Sequence, residues 1–202
     1  MKDSIIGFIR DNVIGRLLET EELTYLLEGG DLEGVYSDKI SFSELTVSDN
    51  GIQFNMIVVT EEKVYAKDDK GNRSKIVKDF TGSGTFHYEL SLRKSTSEIT
   101  GVMRLLTSST NDHTMEAIVY GVHDMKLEEG QLKWKEQQLM YRDMPAGEGC
   151  YRPVAFDSEI RFYKENEKLR FEYIPIYWDV DPKTMKKTLS KDKCPHFVSK
   201  EK

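Results

Sequence analysis

The stretch from Thr85 to Arg93, TFHYELSLR, decides the fold class of this chain. Apolar and polar side chains alternate along it almost strictly, which is the pattern of a β-strand with one buried face. In an extended chain one face carries Phe86, Tyr88, Leu90 and Leu92. The opposite face carries His87, Glu89, Ser91 and Arg93. We therefore predict a strand whose apolar face lies on a core.

The same alternation continues on both sides of this strand. It recurs in the segments 52–59, 98–107, 114–122, 131–141, 159–165 and 168–178. Turn-forming residues separate these segments, for example Asp49-Asn50-Gly51 and the runs 68–72 and 128–130. No helical pattern intervenes. The sequence predicts a mainly β fold, an antiparallel meander that closes into an up-and-down barrel or, alternatively, forms a β-sandwich.

Some of these strands are apolar on both faces, notably 114–122 and 168–178. Two-sided apolar strands are covered on both sides. One side would line the interior, and the other would meet the N-terminal segment or a second subunit. Pro175 has no N–H to donate, so we expect its strand to be an edge or to be bulged there.

The run Leu32 to Asp38, LEGVYSD, follows the N-terminal segment and opens the first strand. It resembles the Gly-x-Trp entry of lipocalin-type barrels, with Gly34 in place and Tyr36 where the family has tryptophan. The resemblance covers only these residues. It implies a calycin/lipocalin-like barrel rather than a sandwich.

The first 30 residues form a separate, amphipathic segment. Apolar residues recur there at helical spacing, and Gly29-Gly30 supply a stop, which predicts a helix. We expect its apolar stripe to pack in the core, or alternatively to form a homo-oligomer contact. The predicted organisation is thus a helical segment over 1–30, a β-barrel-like domain over 31–181 and a lysine-rich tail over 182–202.

Charge and composition exclude several classes of function. The net charge of the chain is −6. The tail is basic, with seven lysines against the two acidic residues Asp192 and Glu201, so the rest of the chain is more acidic than the total suggests. An acidic body repels polyphosphate, so we expect no nucleic-acid partner. No apolar run is long enough to span a bilayer, and no signal peptide is recognisable. The two cysteines, Cys150 and Cys194, make no disulfide framework, which predicts a cytoplasmic protein.

The familiar catalytic and cofactor motifs are missing. No phosphate-binding glycine loop, Cys-x-x-Cys, His-Glu-x-x-His or Gly-x-Ser-x-Gly pattern occurs, and TGSGTF at 81–86 is interpreted as a turn into a strand. We predict no catalytic residue, no metal ligand and no cofactor. His87, Glu89, Tyr120 and His123 are the candidates for an acid–base enzyme, although an outward position is favoured for His87.

Residues Met144 to Phe156, MPAGEGCYRPVAF, combine two prolines, two glycines and Cys150. We interpret them first as a connection and second as a lid over a pocket. Arg152 within this stretch has a guanidinium suited to an anionic ligand group.

The function predicted from these observations is a non-enzymatic module that binds a small apolar or amphipathic ligand. Five pocket residues are predicted: Tyr88, Arg104, Tyr120, Trp134 and Arg152. Two alternatives remain open. One is a protein-interaction or adaptor protein that uses the N-terminal helix or an edge strand, and the other is an acid–base enzyme with a site in the barrel lumen.

Overall fold

The computed structural model describes most of the chain. The described ranges are residues 2–27, 30–93, 98–108, 119–138, 142–147, 150–181, 183–190 and 197–201.

One helix and thirteen strands make up these ranges. The helix α1 spans Lys2–Phe8 and continues as a π-helical turn over Ile9–Val13. The strands are β1 Leu17–Thr20, β2 Leu23–Leu27, β3 Leu32–Ser48, β4 Gly51–Lys67, β5 Arg73–Arg93, β6 Glu98–Ser108, β7 Val119–Glu128, β8 Gln131–Gln138, β9 Arg142–Gly147, β10 Cys150–Glu165, β11 Lys168–Val180, β12 Lys187–Leu189 and β13 Phe197–Glu201.

All described strands join one sheet, and every pairing is antiparallel. The order is β12-β11-β13-β1-β3-β4-β5-β6-β7-β8-β10-β9, with β2 paired to β3 and a further pairing of β10 with β11. This confirms the predicted mainly antiparallel β fold with an N-terminal helix. The order alone does not confirm the predicted barrel, because it has two ends.

The N-terminal helix is shorter than predicted. It ends at Val13, and the leucine-rich residues after it form β1 and β2 instead of continuing the helix. Gly15 has a φ of +77°, which breaks the helical path. Both strands then pair with β3, so sheet hydrogen bonds outweigh the helical spacing of their leucines. The prediction of helix through residue 28 was wrong for this part.

The lysine-rich C-terminal segment is also partly strand. β13 pairs with β1 through Thr20↔Ser199 and with β11 through Tyr173↔Phe197. From its charge, the sequence predicts only a lysine-rich tail here. Lysines are compatible with a strand when backbone pairing on both sides fixes the chain, and a count of charges does not detect this pairing.

The predicted turns are confirmed where the structure describes them. Residues 49–50 connect β3 to β4, and 68–72 connect β4 to β5. Glu129 and Gly130 both have positive φ, as two-residue hairpin turns require. The stretch 144–156 is neither lid nor loop over most of its length, because β9 and β10 pair there with one another. TGSGTF likewise lies inside β5 and is not a turn.

Pro175 lies opposite Ser158 of β10. On its other side, β13 pairs only with residues 170–173 and β12 only with residues 178–180. Among the described residues, Pro175 therefore occupies a part of β11 that has a strand partner on one side only, in agreement with the expected local edge.

A single hydrophobic core covers one face of the sheet, which we call the core face. Helix α1 and the turn after it pack their apolar stripe onto it, with Ile5, Ile9 and Val13 at most 1% exposed. Phe42, Phe54 and Phe162 are the aromatic centre of the same cluster. The stripe is therefore buried within the chain's own core, as favoured by the sequence.

Candidate functional site

Glu136 is a buried carboxyl group within this core. Its side chain is only 2% exposed, and it lies on the core face of β8 together with Leu132 and Trp134. Alternation along the strand places it there, because residues 132, 134 and 136 point to the same side. Across the sheet it is opposite Ser158 of β10 and Val122 of β7.

Three donors bind the Glu136 carboxyl group. Its Oε1 accepts hydrogen bonds from the Tyr88 hydroxyl at 2.8 Å and from Trp134 Nε1 at 2.9 Å. Its Oε2 accepts a long bond of 3.4 Å from the Ser158 hydroxyl. All four residues are buried. The four residues thus form a buried polar cluster. Within it, Oε1 of Glu136 accepts two short hydrogen bonds and Oε2 accepts one long one.

Aromatic packing holds the donors of this cluster in place. The Tyr88 ring stacks on Phe54 at a centroid distance of 4.7 Å and meets Trp134 edge-on at 5.9 Å. Trp134 in turn stacks on Phe162 at 5.6 Å. Such contacts add to the area that the rings bury. The donors therefore keep their direction without help from a ligand.

Burial dominates the electrostatics of the site. It raises the pKa of Glu136 above its ordinary value, and the bonds from Trp134, Tyr88 and Ser158 oppose this rise. The pKa of Tyr88 lies well above its usual range, first because of burial and then because of the nearby Glu136. Tyr173 and Tyr120 act on the Tyr88 pKa in the same direction, so their phenols are also close.

Burial decreases along the core face in the direction away from α1. On β4, Phe54 is 1% exposed, whereas Met56 and Val58 on the same face are only half-buried. The same change occurs on β5 between Tyr88 and Phe86. Tyr120 and Tyr173 are half-buried as well, and these partly covered side chains pack against the core cluster. Among the described residues, the fully buried part of the core therefore ends near Glu136, and partly exposed apolar side chains follow.

Two glycines of β5 lie in this region. Gly84 lies opposite Val58 and Gly82 lies opposite Thr60 on β4. A Cβ atom at Gly84 would be 3.5 Å from the Phe86 side chain and 3.6 Å from the Leu105 side chain. No backbone atom therefore comes so close that this position must be glycine. Glycine in a strand interior often marks a place where a ligand approaches.

The predicted pocket residues fall into different places. Tyr88 and Trp134 meet at Glu136, and Tyr120 lies on the same face nearby. Arg104 is exposed, next to the buried Met103, and is opposite His87 in the sheet. Arg152 lies in β10, opposite Met144 of β9, and its side chain lies outside the described part of the structure.

Sequence reasoning missed Glu136 and Ser158. The signal was present in the segment QLKWKEQQ, where alternation from Leu132 and Trp134 puts a glutamate on the apolar face. A charged residue two positions from a buried tryptophan in a strand lies on the buried face, and this pattern predicts a buried polar group.

The histidine candidates lie away from this cluster. His87 Nδ1 is 2.7 Å from Asn55 Oδ1, and Asn55 Nδ2 donates to Glu44 at 2.6 Å. This chain of polar groups belongs to the face opposite Tyr88. His123 pairs with Asp124 at 3.4 Å, beside Lys135 and also off the core face. The side chain of Arg93 falls outside the described part, and so does the residue Cys194.

Other kinds of site find less support. Within the described ranges, no three His, Cys, Asp or Glu side chains converge as a metal site. The helical residues there contain no segment with the length and apolarity to cross a bilayer. Open surface clefts occur, such as one of about 360 Å³ between Phe8, Asn12 and Tyr163.

Comparison with known proteins yields no match among family models, curated proteins or solved structures. The lipocalin likeness expected from Gly34 and Tyr36 therefore stays a prediction. In the structure, Gly34 lies beneath the ring of Tyr25, where a Cβ atom would come within 2.1 Å of that ring.

Proposed function

We propose that this protein is a β-barrel-like module that binds a small, partly apolar ligand on its core face, next to Glu136. One observation carries the proposal: apolar side chains that face the core remain half-exposed beyond Phe54 and Tyr88. Well-packed protein interiors leave few such gaps. A ligand would complete the packing that the chain itself leaves unfinished.

The pattern of strand pairing supports a barrel. β10 pairs with β8 and β11, β11 pairs with β13, and β13 pairs with β1, which leads back through β3 to β8. Pairings that follow such a circuit enclose a core face on all sides. Interiors of small barrels are either filled by side chains or hold one small ligand.

The chemistry of the region suits an amphipathic guest. Met56, Val58 and Phe86 offer apolar contact, while Glu136, Tyr120 and Tyr173 offer polar atoms. Ligand sites are commonly apolar with a few placed polar groups that fix orientation. Gly82 and Gly84 add room along β5.

The two alternative functions depend on residues that are placed less favourably. An adaptor that uses the N-terminal stripe would need Ile5, Ile9 and Val13 at the surface, whereas they are buried. An enzyme that uses His87 or His123 would need them beside Tyr120, whereas they lie off the core face. We therefore base the proposal on the core face.

Two adjacent valines provide a matched test. Val58 is on the core face and Val59 is on the opposite face, and both are half-buried. Binding of the neutral fluorophore N-phenyl-1-naphthylamine would be measured for the wild type, Val58→Phe and Val59→Phe. Phenylalanine is favourable in strands, so both variants are expected to fold.

We expect the wild type and Val59→Phe to bind the fluorophore equally, and Val58→Phe to bind at least about tenfold more weakly, since overfilling a site costs about 1–3 kcal/mol. Circular dichroism would verify that both variants keep the β fold. Equal binding by the two variants, or no binding by the wild type, would overturn the proposal.

A further inference from the structure

We propose that the ligand carries a protonated amine that pairs with Oε2 of Glu136. This inference rests on the proposed function and adds the chemical class of the ligand. It follows from the way the carboxyl group is hydrogen-bonded, from its missing counter-charge and from the aromatic residues around it.

The hydrogen bonds leave one oxygen under-used. An ionised carboxylate has room for about four donors over its two oxygens. Oε1 of Glu136 accepts two bonds shorter than 3 Å, whereas among the described residues Oε2 accepts only the 3.4 Å bond from Ser158. A ligand that donates a proton to Oε2 would complete the set. A ligand that presents another carboxylate would meet repulsion instead.

Within the described part of the chain, the carboxyl group also lacks a counter-charge. Among the described residues no Lys or Arg forms an ion pair with Glu136, although thirteen ion pairs occur elsewhere. A buried charge without a partner is costly, and groups in that position pair or lose their charge. A ligand ammonium would supply a positive charge next to the buried carboxylate of Glu136, where water screens the attraction least.

The surroundings favour a cation over other donors. Phe86, Tyr120 and Tyr173 are half-buried aromatic residues on the same face, and Tyr88 and Trp134 lie at the carboxyl group itself. Aromatic faces attract organic cations through their negative quadrupole, more strongly when water is excluded. The apolar part of the guest would contact Met56 and Val58.

The raised pKa of Glu136 is consistent with this assignment, because burial without a counter-ion favours the neutral acid. An incoming ammonium would lower the pKa again. Ligand binding at a pH near the raised value would then release a proton, whereas binding of a neutral guest would not.

Three probes of similar size separate the contributions. Isothermal titration calorimetry on the full chain would compare 2-phenylethylamine, 2-phenylethanol and 3-phenylpropionate, which differ in the charge of the polar end. The same series would be measured on Glu136→Gln, which keeps the shape of the side chain and removes its charge, and on Ser158→Ala.

We expect the amine to bind at least about tenfold more tightly than the alcohol, because an ammonium adds charge attraction to the hydrogen bond that both probes can donate to the carboxylate. The carboxylate should bind most weakly. The preference for the amine should disappear in Glu136→Gln and persist in Ser158→Ala. The comparison in the wild type tests the inference even if the glutamine variant fails to fold.

The outcomes distinguish the two proposals. Equal affinity of amine and alcohol, or tightest binding of the carboxylate, would overturn the amine assignment and leave the apolar site intact. An amine preference that survives in folded Glu136→Gln would overturn the role of Glu136. Absence of binding by all three probes would overturn the proposed function as well.

Discussion

The hydroxyl of Tyr88 and the carboxyl group of Glu136 come from strands that are not neighbours in the sheet, and they meet in a 2.8 Å hydrogen bond. The bond connects β5 and β8 through the core. Because both groups are buried, bulk water cannot replace either partner, and without the Tyr88 hydroxyl Oε1 of Glu136 keeps only the bond from Trp134.

Tyr88→Phe should therefore destabilise the protein by about 1–3 kcal/mol, because it removes a buried hydrogen bond to a carboxyl group that water cannot replace. Urea unfolding would measure this change. Tyr163→Phe is the matched control, since the Tyr163 hydroxyl donates to Glu172 at 2.7 Å from a half-buried position. The control should lose about 1 kcal/mol or less. Equal losses for both variants would contradict a special role for the buried pair.

The charge of Glu136 should make stability depend on pH. Burial raises its pKa in the folded state, so the folded protein retains this proton at a pH where the unfolded chain has released it. Below the unfolded value, about 4.3, both states are protonated and the contribution is fully present. It is lost as the pH rises through the folded pKa.

The wild type should thus lose stability relative to Glu136→Gln as the pH rises from about 4 towards neutrality. The difference between the two proteins isolates Glu136 from surface carboxyls such as Glu62, whose pKa is lowered by Lys78 and Tyr25. Tyr88, Tyr120 and Tyr173 face the same region, and the raised pKa of Tyr88 keeps it protonated in this range. Thermal unfolding of both proteins at a series of pH values measures this change. A difference in melting temperature between the wild type and Glu136→Gln that does not vary with pH would contradict the raised pKa of Glu136.

Substitution by alanine should affect stability differently at Gly84 of β5 and at Gly101 of the neighbouring strand β6. A Cβ atom at Gly84 meets only ordinary contacts at 3.5 Å or more, whereas one at Gly101 would come within 2.1 Å of the Glu89 carbonyl oxygen. Gly84→Ala should leave stability unchanged or raise it by up to about 1 kcal/mol through the unfolded state. Gly101→Ala should destabilise, because the backbone of β5 must shift. Calorimetric melting temperatures that fall equally for both would contradict this reading of the core face.

The C-terminal strand should be essential for stability. Ending the chain after Ser190 removes β13 and leaves β1 and β11 without this partner. Since each net backbone hydrogen bond contributes about 1 kcal/mol, we expect a loss of more than about 2 kcal/mol and a tendency to associate through the open strands. Removal of Lys202 alone is the control. Urea unfolding midpoints that agree for both would show that β13 does not contribute.

Alternation and turn residues predicted most of the sheet because they are local signals. The strand around Tyr88, the turn at Glu129-Gly130 and the helix at Ile5 to Val13 all follow from spacing that the sequence displays. The strands β1 and β13 were missed because partners distant in sequence determine them. Leu18 pairs with Ile40 on one side and Glu201 on the other, which no window of residues contains.

The site was predictable only in part for the same reason. Tyr88 and Trp134 are two of the five predicted pocket residues, and they do share Glu136. Arg104 is a third, and the parity of its strand makes it exposed next to the buried Met103. Glu136 was overlooked because a charged residue in a strand is usually assigned to the solvent face.

The central claim is that a small ligand binds on the core face next to Glu136, and the two tryptophans can test it within one molecule. Trp134 donates its indole N–H to Glu136 on the core face, whereas Trp178 donates its own to Asp157 at 2.7 Å on the opposite face. The measurement is a ¹H–¹⁵N spectrum of the two indole groups during titration with N-phenyl-1-naphthylamine. We predict a saturable shift of the Trp134 resonance while that of Trp178 stays in place. A stationary Trp134 resonance, or a shift confined to Trp178, would contradict the account.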